Sequence, residues 1–294
     1  MLLLCGQRRA MVDRAAIVPC FANLSPDLTE SCPCKGKEGN KSTNGLHFFA
    51  VYDGHSGSQA SQFCMERLHL VLAEELATLS VVQDGKQEFL PSNWQSVMVS
   101  CFSRMDKEMG GFYWDGDYHD LGNSAPPFGQ SIAPEFVRTT AVVVVVSSNQ
   151  FVVATCGDSR AVLSRGGKAI PLSLAHKRKQ DGATTRCLEA TLGQGYLHLK
   201  HFVVSEPEVT CIQRSEDDEC LILASNGLWD VIDDPTTCEI AQKCLASSRS
   251  TQEFGMHDLG KDPAAMAAAA ILVKVAFGRG SKDNISAIVI DLKK

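Results

Sequence analysis

Three separated stretches of this chain place an acidic or amide side chain at the end of an apolar run. They are "FFAVYDGH" (Phe48–His55), "LILASNGLWD" (Leu221–Asp230) and "GRGSKDNISAIVIDL" (Gly278–Leu292). Strand ends are rigid, and several meeting at one sheet edge can converge their side chains. Hard cations such as Mg²⁺ and Mn²⁺ take carboxylate, carbonyl and water oxygens as ligands. Asp53 could bridge two such ions, the carbonyl of Gly54 could approach one, and Asp283 could supply a further carboxylate. Asp-Gly, Asn-Gly and Asp-Asn pairs also make ordinary turns. For each stretch alone both readings stand; for the set, shared cation chemistry is the stronger expectation.

The elements that must position these residues follow from periodicity. "MLLLC" reads as a first strand and "DRAAIVPCF" (Asp13–Phe21) as a second. "LHFFAVYD" is a strand that stops at Asp53. Ala60, Phe63, Cys64, Leu68, Val71, Leu72 and Leu76 share one helical face. Pro91 is placed to open a second helix through Val97, Cys101 and Met105. Residues 32–45 and 110–135 are polar and rich in turn formers, hence loops. From Thr139 to Ser173 the chain predicts successive strands, with turns at Ser148-Asn149, Gly157-Asp158 and Gly166-Gly167. Their nearly continuous apolar runs predict burial on both faces. "KQDGATTRCLEATLG" predicts a weak helix, "PEVTCIQR" and "CLILAS" strands, "PTTCEIAQKCLASS" and "PAAMAAAAILVKVAFG" helices, and "NISAIVIDL" a last strand. Strands in blocks with helices grouped between them predict an α+β fold: a central β-sandwich of two antiparallel sheets flanked by helices. With no repeat and no linker, residues 1–294 are expected to form one domain.

The 294 residues suffice for a full core. A net charge of −6 argues against nucleic acid as a partner, since phosphate backbones select clustered Lys and Arg. No apolar run has the length of a membrane span, and no leader pattern is visible. The 12 cysteines lie scattered through apolar segments, which predicts reduced, buried thiols in a cytoplasmic or nuclear protein. Cys32-Pro-Cys34, with Cys20 upstream, lacks a fourth zinc ligand at a usual spacing.

The chain resembles the metal-dependent serine/threonine protein phosphatases of type 2C, and is most similar to plant members. The resemblance rests on "CGQRRAMVDRAAIVPCF", "FFAVYDGHSGSQAS", "FVVATCGDSRAVLSRGGKAIPLSLAHK", "SEPEVTCIQRSEDDECLILASNGLWDV" and "RGSKDNISAIVIDL", in family order and over most of the chain. It implies two Mg²⁺ or Mn²⁺ ions at one edge of the sandwich, and hydrolysis of phosphoserine or phosphothreonine by a bridging hydroxide. By the same resemblance Asp53 bridges the ions, the Gly54 carbonyl binds one, Asp283 binds the other, and Asp13 acts through a water. Asp158 and Asp230 match positions around a weaker third metal. Arg8 matches the arginine that grips the phosphate, a task suited to its planar fork. His55 matches the acid that protonates the leaving oxygen.

The departures are as specific as the matches. Where the family has an Asp ligand followed by Gly, this chain has Asn226-Gly227. Asparagine offers an oxygen without the charge, and half its head is a donor. Val12 stands where the family has Glu, Ser56 where it has the first Gly after the histidine, and "AHKR" (Ala175–Arg178) where it has "DHKP". After "LEATLGQG" the family continues through a strand and an "SRxxGD" flap, whereas here Tyr196 follows Gly195 directly. In plant members that flap carries the Trp that meets abscisic-acid receptors, so the resemblance implies that this contact is lost. Two function classes follow. One is a metal-dependent protein phosphatase, monomeric, with phosphoproteins as substrates and its activity impaired by Asn226, Val12 and the gap. The other is a pseudophosphatase that binds phosphoproteins or a protein kinase. A chain that folds poorly for want of the missing strand is a third alternative.

Overall fold

The computed structural model describes residues 1–23, 45–80, 91–110, 137–173, 189–190, 203–204, 206–249 and 262–293. In chain order the first elements are β1 (Leu2–Leu4), β2 (Arg14–Asn23), β3 (Gly45–Tyr52), β4 (Gly54–His55), α1 (Gln59–Ser80) and α2 (Pro91–Met109). The middle of the chain forms β5 (Arg138–Thr139), β6 (Ala141–Val146), β7 (Gln150–Cys156), β8 (Arg160–Arg165), β9 (Lys168–Pro171), β10 (Glu189–Ala190) and β11 (Val203–Val204). Then come β12 (Glu208–Gln213), β13 (Asp218–Ala224), α3 (Asn226–Trp229), α4 (Asp234–Arg249), α5 (Pro263–Gly278) and β14 (Ile285–Asp291).

Two five-stranded antiparallel sheets carry the fold, in the orders β1-β14-β13-β8-β9 and β12-β7-β6-β3-β2. The period of two along each strand explains why they stack. In β6, Val142, Val144 and Val146 join Val51, Phe151 and Val153 against Ala161, Leu163, Leu221, Leu223 and Ile288 of the facing sheet. The alternate residues Ala141, Val143 and Val145 pack with Phe48, Tyr52 and the apolar faces of α1 and α2. Ile222, Ala224, Ala287 and Val289 look the other way, onto Ala241 and Leu245 of α4 and Ala268, Leu272 and Val273 of α5. All six residues of β6 are therefore buried, as the continuous apolar run predicts. Burying a side chain of this size contributes about 1.5–3 kcal/mol, so α1 and α2 are held by their apolar faces rather than by their own propensity. At the start of α5, Asp262 accepts hydrogen bonds from Ala264 N (2.9 Å) and Ala265 N (3.4 Å), with Pro263 in the first turn.

The structure departs from the sequence reading in three places. Glu189–Ala190 is not helical but pairs in parallel with Val203–Val204; a weak one-face pattern yields to β pairing with a β-branched partner. Asn226-Gly227 is not a tight turn. Asn226 opens the one-turn helix α3, with Leu228 N bonded to Ser225 O at 3.1 Å. Its backbone is not left-handed, and Gly227 sits under the Asn284 carbonyl, which a Cβ there would meet at 2.0 Å. Cys20 is disulfide-bonded, so the all-thiol expectation fails at that position, and a sulfur so bonded is no zinc thiolate. Cys32 and Cys34, the two polar segments at 32–44 and 111–135, the stretch 175–178 and the junction at 193–201 lie outside the described residues.

Candidate metal centre at the sandwich edge

Pairing of Arg14 with Tyr52 brings the mouth of β2 beside the end of β3, so Asp13 and Asp53 stand together. Both are buried, at 0% and 3% exposure. Pairing of Ala224 with Ala287 does the same in the facing sheet, where Asn226 follows β13 and Asp283 precedes β14. Asp158 lies on the turn from β7 to β8, the connection that crosses from one sheet to the other. The sequence-predicted residues thus arrive from both sheets at one edge.

Electrostatics follow from that convergence. Burial pushes the Asp53 carboxyl well above the usual carboxylate range, and the charges of Asp13, Asp158 and Asp283 push it further. Burial also raises Asp13, against the opposing hydrogen bonds of the Ser286 and Ser225 hydroxyls. Ser286 Oγ donates to Asp13 Oδ2 at 2.7 Å. Partial burial would raise Asp283 too. Hydrogen bonds from Arg8 and from Asn284 N–H outweigh it and hold that carboxyl below its usual range. Arg8 donates from Nε to Oδ1 at 2.9 Å and from Nη2 to Oδ2 at 2.7 Å.

The backbone around Asp53 is tightly held. Its carbonyl accepts from Thr140 N and from Thr139 Oγ1, each at 2.9 Å. Gly54 is pressed on the Val12 carbonyl, which a Cβ would meet at 2.3 Å. His55 pairs with Arg138 in the short β4–β5 ladder and is 34% exposed at the rim. Its Nδ1 lies 3.2 Å from the Asp53 carbonyl and 3.6 Å from Asp53 Oδ1. Ser56, next in the chain, has a left-handed backbone with φ of 63°. Asp230 stands exposed one helical turn beyond Asn226, its N–H bonded to Asn226 O at 2.9 Å.

Four buried oxygens at this edge have no hydrogen-bond donor: Asp13 Oδ1, Asp53 Oδ2, Asp158 Oδ1 and Asn226 Oδ1. Buried acceptors are rarely left without a partner, and oxygen-only donors of this kind fit a hard divalent cation. The Asp283 side fits less well, because Arg8 engages both carboxylate oxygens. As the side chains stand, no group of three or more His, Cys, Asp or Glu among the described residues is gathered closely enough to hold an ion. Position 226 carries an amide, and Asp283 is turned to Arg8.

Asn284 is a positioning residue that residue type alone did not single out. Its Oδ1 accepts from Val12 N (2.8 Å) and Asp13 N (3.4 Å), and its Nδ2 donates to Cys5 O (2.9 Å) and Ala10 O (3.0 Å). One buried amide therefore ties the loop carrying Arg8 to the start of β14. The available signal was a pair of polar residues, Asn284 and Ser286, on either side of Ile285 where an otherwise apolar strand begins.

The fold is shared with solved structures. It superposes on a serine-threonine phosphatase 2C from Toxoplasma gondii with a TM-score of 0.67, at 18% identity, covering 99% of this chain and 93% of that one. A C. elegans sex determining protein gives 0.63 at 17% identity, covering 98% and 63%. At such identities the likeness is one of architecture. The sequence carries it further. The model of the family "Protein phosphatase 2C" matches residues 25–190 and 183–285. Protein phosphatase 2C 53 of Oryza sativa subsp. japonica is 39% identical over 334 residues, covering 99% of this chain and 69% of the relative. Protein phosphatase 2C 56 of Arabidopsis thaliana is 37% identical over 318 residues, covering 99% and 67%. This chain belongs to the protein phosphatase 2C family. Alignments longer than its 294 residues mean that these relatives carry residues with no counterpart here.

Proposed function

We propose that this chain, acting as one domain, is a divalent-cation-dependent phosphatase for phosphoserine and phosphothreonine in proteins. The observation that carries this reading is the set of four donorless buried oxygens, contributed by both sheets and by the turn between them. Mg²⁺ or Mn²⁺ would be held by Asp13, Asp53, Asp158 and Asn226, with Asp283 as a ligand once Arg8 leaves it. Asp230 borders a weaker third position, and the Gly54 carbonyl is a further oxygen. Cations bound there would activate water and neutralise phosphoryl charge.

The chain's own groups supply the rest. Arg8 has a side chain 59% exposed, and its fork suits two phosphoryl oxygens. His55, at the rim and in contact with Asp53, is placed to hold a proton for the leaving Ser or Thr oxygen. Thr139 and Thr140 fix the Asp53 backbone, so that its carboxylate is already aimed before substrate arrives.

Asn226 and the Arg8–Asp283 pair favour a second reading, a pseudophosphatase that binds phosphoproteins or a kinase without turnover. Phosphopeptide hydrolysis across an Mn²⁺ and Mg²⁺ titration separates the two. Metal-dependent turnover in wild type that disappears in Asp53→Ala supports the enzyme. A wild type without turnover, with recovery in Asn226→Asp, supports an intact scaffold lacking one carboxylate.

A further inference from the structure

We propose that Arg8 acts as an internal stand-in for a second divalent cation on Asp283, and that a phosphate anion releases it. The inference rests on the cation-site reading above and goes beyond it. Both Asp283 oxygens accept from one guanidinium, at 2.9 and 2.7 Å. That bidentate geometry neutralises the carboxylate along the same lone pairs a cation would use. At the same edge, Asp13, Asp53, Asp158 and Asn226 each keep an oxygen without a donor. The oxygens at the edge therefore differ: these four have no hydrogen-bond donor, whereas both oxygens of Asp283 are engaged by Arg8.

Arg8 is not locked in this position. Its side chain is 59% exposed, against 25% for Asp283. It stands on the short loop after β1, pinned at its base by Arg8 N to Cys5 O (3.1 Å) and by the Asn284 amide, so the guanidinium can swing while the backbone stays. A phosphate dianion presents the same pair of oxygens with more charge, and competes for the same fork. When it takes Arg8, Asp283 is left as a free carboxylate beside a cation already bound. Phosphate binding and second-cation binding are then linked, and each must raise the affinity of the other by the same factor.

The test counts Mn²⁺ bound to the 294-residue chain by isothermal titration and by electron paramagnetic resonance, with and without inorganic phosphate. Without phosphate, wild type should bind one ion and Arg8→Gln two. Arg9→Gln, which removes an equal charge from the adjacent exposed position, should behave as wild type. With phosphate, wild type should gain the second ion, with a linkage of about 5–150-fold. If wild type and Arg8→Gln bind the same number of ions equally tightly without phosphate, the latch is overturned while the cation site stands. Equal gains in Arg8→Gln and Arg9→Gln also overturn it, since bulk charge then explains the effect. If wild type binds no Mn²⁺ under either condition, the cation-site reading falls, and the latch with it.

Discussion

Ser286 on β14 donates its hydroxyl to Asp13 at the mouth of β2, a 2.7 Å bond between the two sheets of the sandwich. Both residues are fully buried. The hydroxyl favours the charged form of a carboxylate whose burial disfavours it, and it fixes which oxygen is left facing the edge. Ser286→Ala should cost about 1–2 kcal/mol of stability and weaken Mn²⁺ binding about tenfold. Urea unfolding and calorimetric titration check the two effects separately. Unchanged Mn²⁺ affinity would mean that Asp13 does not serve the ion.

Asn226→Asp should change the protein in opposite directions with and without metal. Its Nδ2 now reaches toward Asp158 Oδ2 at 3.4 Å. A carboxylate there would face Asp158 as a like charge, so the metal-free variant should melt below wild type. With Mn²⁺ the order should reverse, and affinity should rise about 10–100-fold. Thermal melts in chelator and in Mn²⁺ make the comparison; a variant less stable in both conditions contradicts it.

Ser56 holds a left-handed backbone, with φ of 63°, at the position where the family resemblance implies glycine. A side chain in that conformation costs about 1–2 kcal/mol. Ser56→Gly should recover part of it, set against the entropy glycine adds to the unfolded chain. A net gain of about 1 kcal/mol in urea unfolding is expected. A loss would place the Ser56 side chain in a stabilising contact.

Asn284→Ala should be among the more damaging single changes. Four hydrogen bonds disappear from a residue 1% exposed, those to Cys5 O, Ala10 O, Val12 N and the buried Asp13 N. About 2–4 kcal/mol is the expected loss. Faster amide exchange at Val12 and Asp13 should accompany it, because the loop bearing Arg8 loses its tie to β14.

Acidity should act on the metal-free protein in two separate windows. The raised Asp53 and Asp13 carboxyls bind protons in the folded state before the unfolded chain does. They therefore destabilise the metal-free fold at neutral pH, and lowering pH toward the usual carboxylate value should relieve this. Asp283 is shifted the other way. Its contribution is present above the usual carboxylate value and is lost as pH falls through its lower folded value. Urea midpoints in chelator should rise on mild acidification and fall on stronger acidification. Saturating Mn²⁺ should remove the first limb. A midpoint that falls steadily from neutral pH would contradict the buried carboxylate pair.

Much of the fold was legible because its signals are local. The valine run of β6 announces burial on both faces whatever surrounds it, the spacing through α1 announces one apolar stripe, and Pro91 marks a helix start. The acidic residues at strand ends were legible as residue types in family order. Their partners were not. That Asp283 faces Arg8, 275 residues away in sequence, depends on β1 and β14 pairing at one sheet edge. That Asp13 is charged or neutral depends on burial between two sheets and on Ser286 arriving from the other. Asn226 looked like a turn former because propensity sees only its neighbours; in the fold it opens α3, and the Asn284 carbonyl pressed on Gly227 leaves no room for a side chain there. Spacing along the chain determined which elements form and which side chains reach the edge. Only the tertiary structure decided which of those side chains already have a partner, because hydrogen bonding and charge at that edge are settled between strands far apart in sequence.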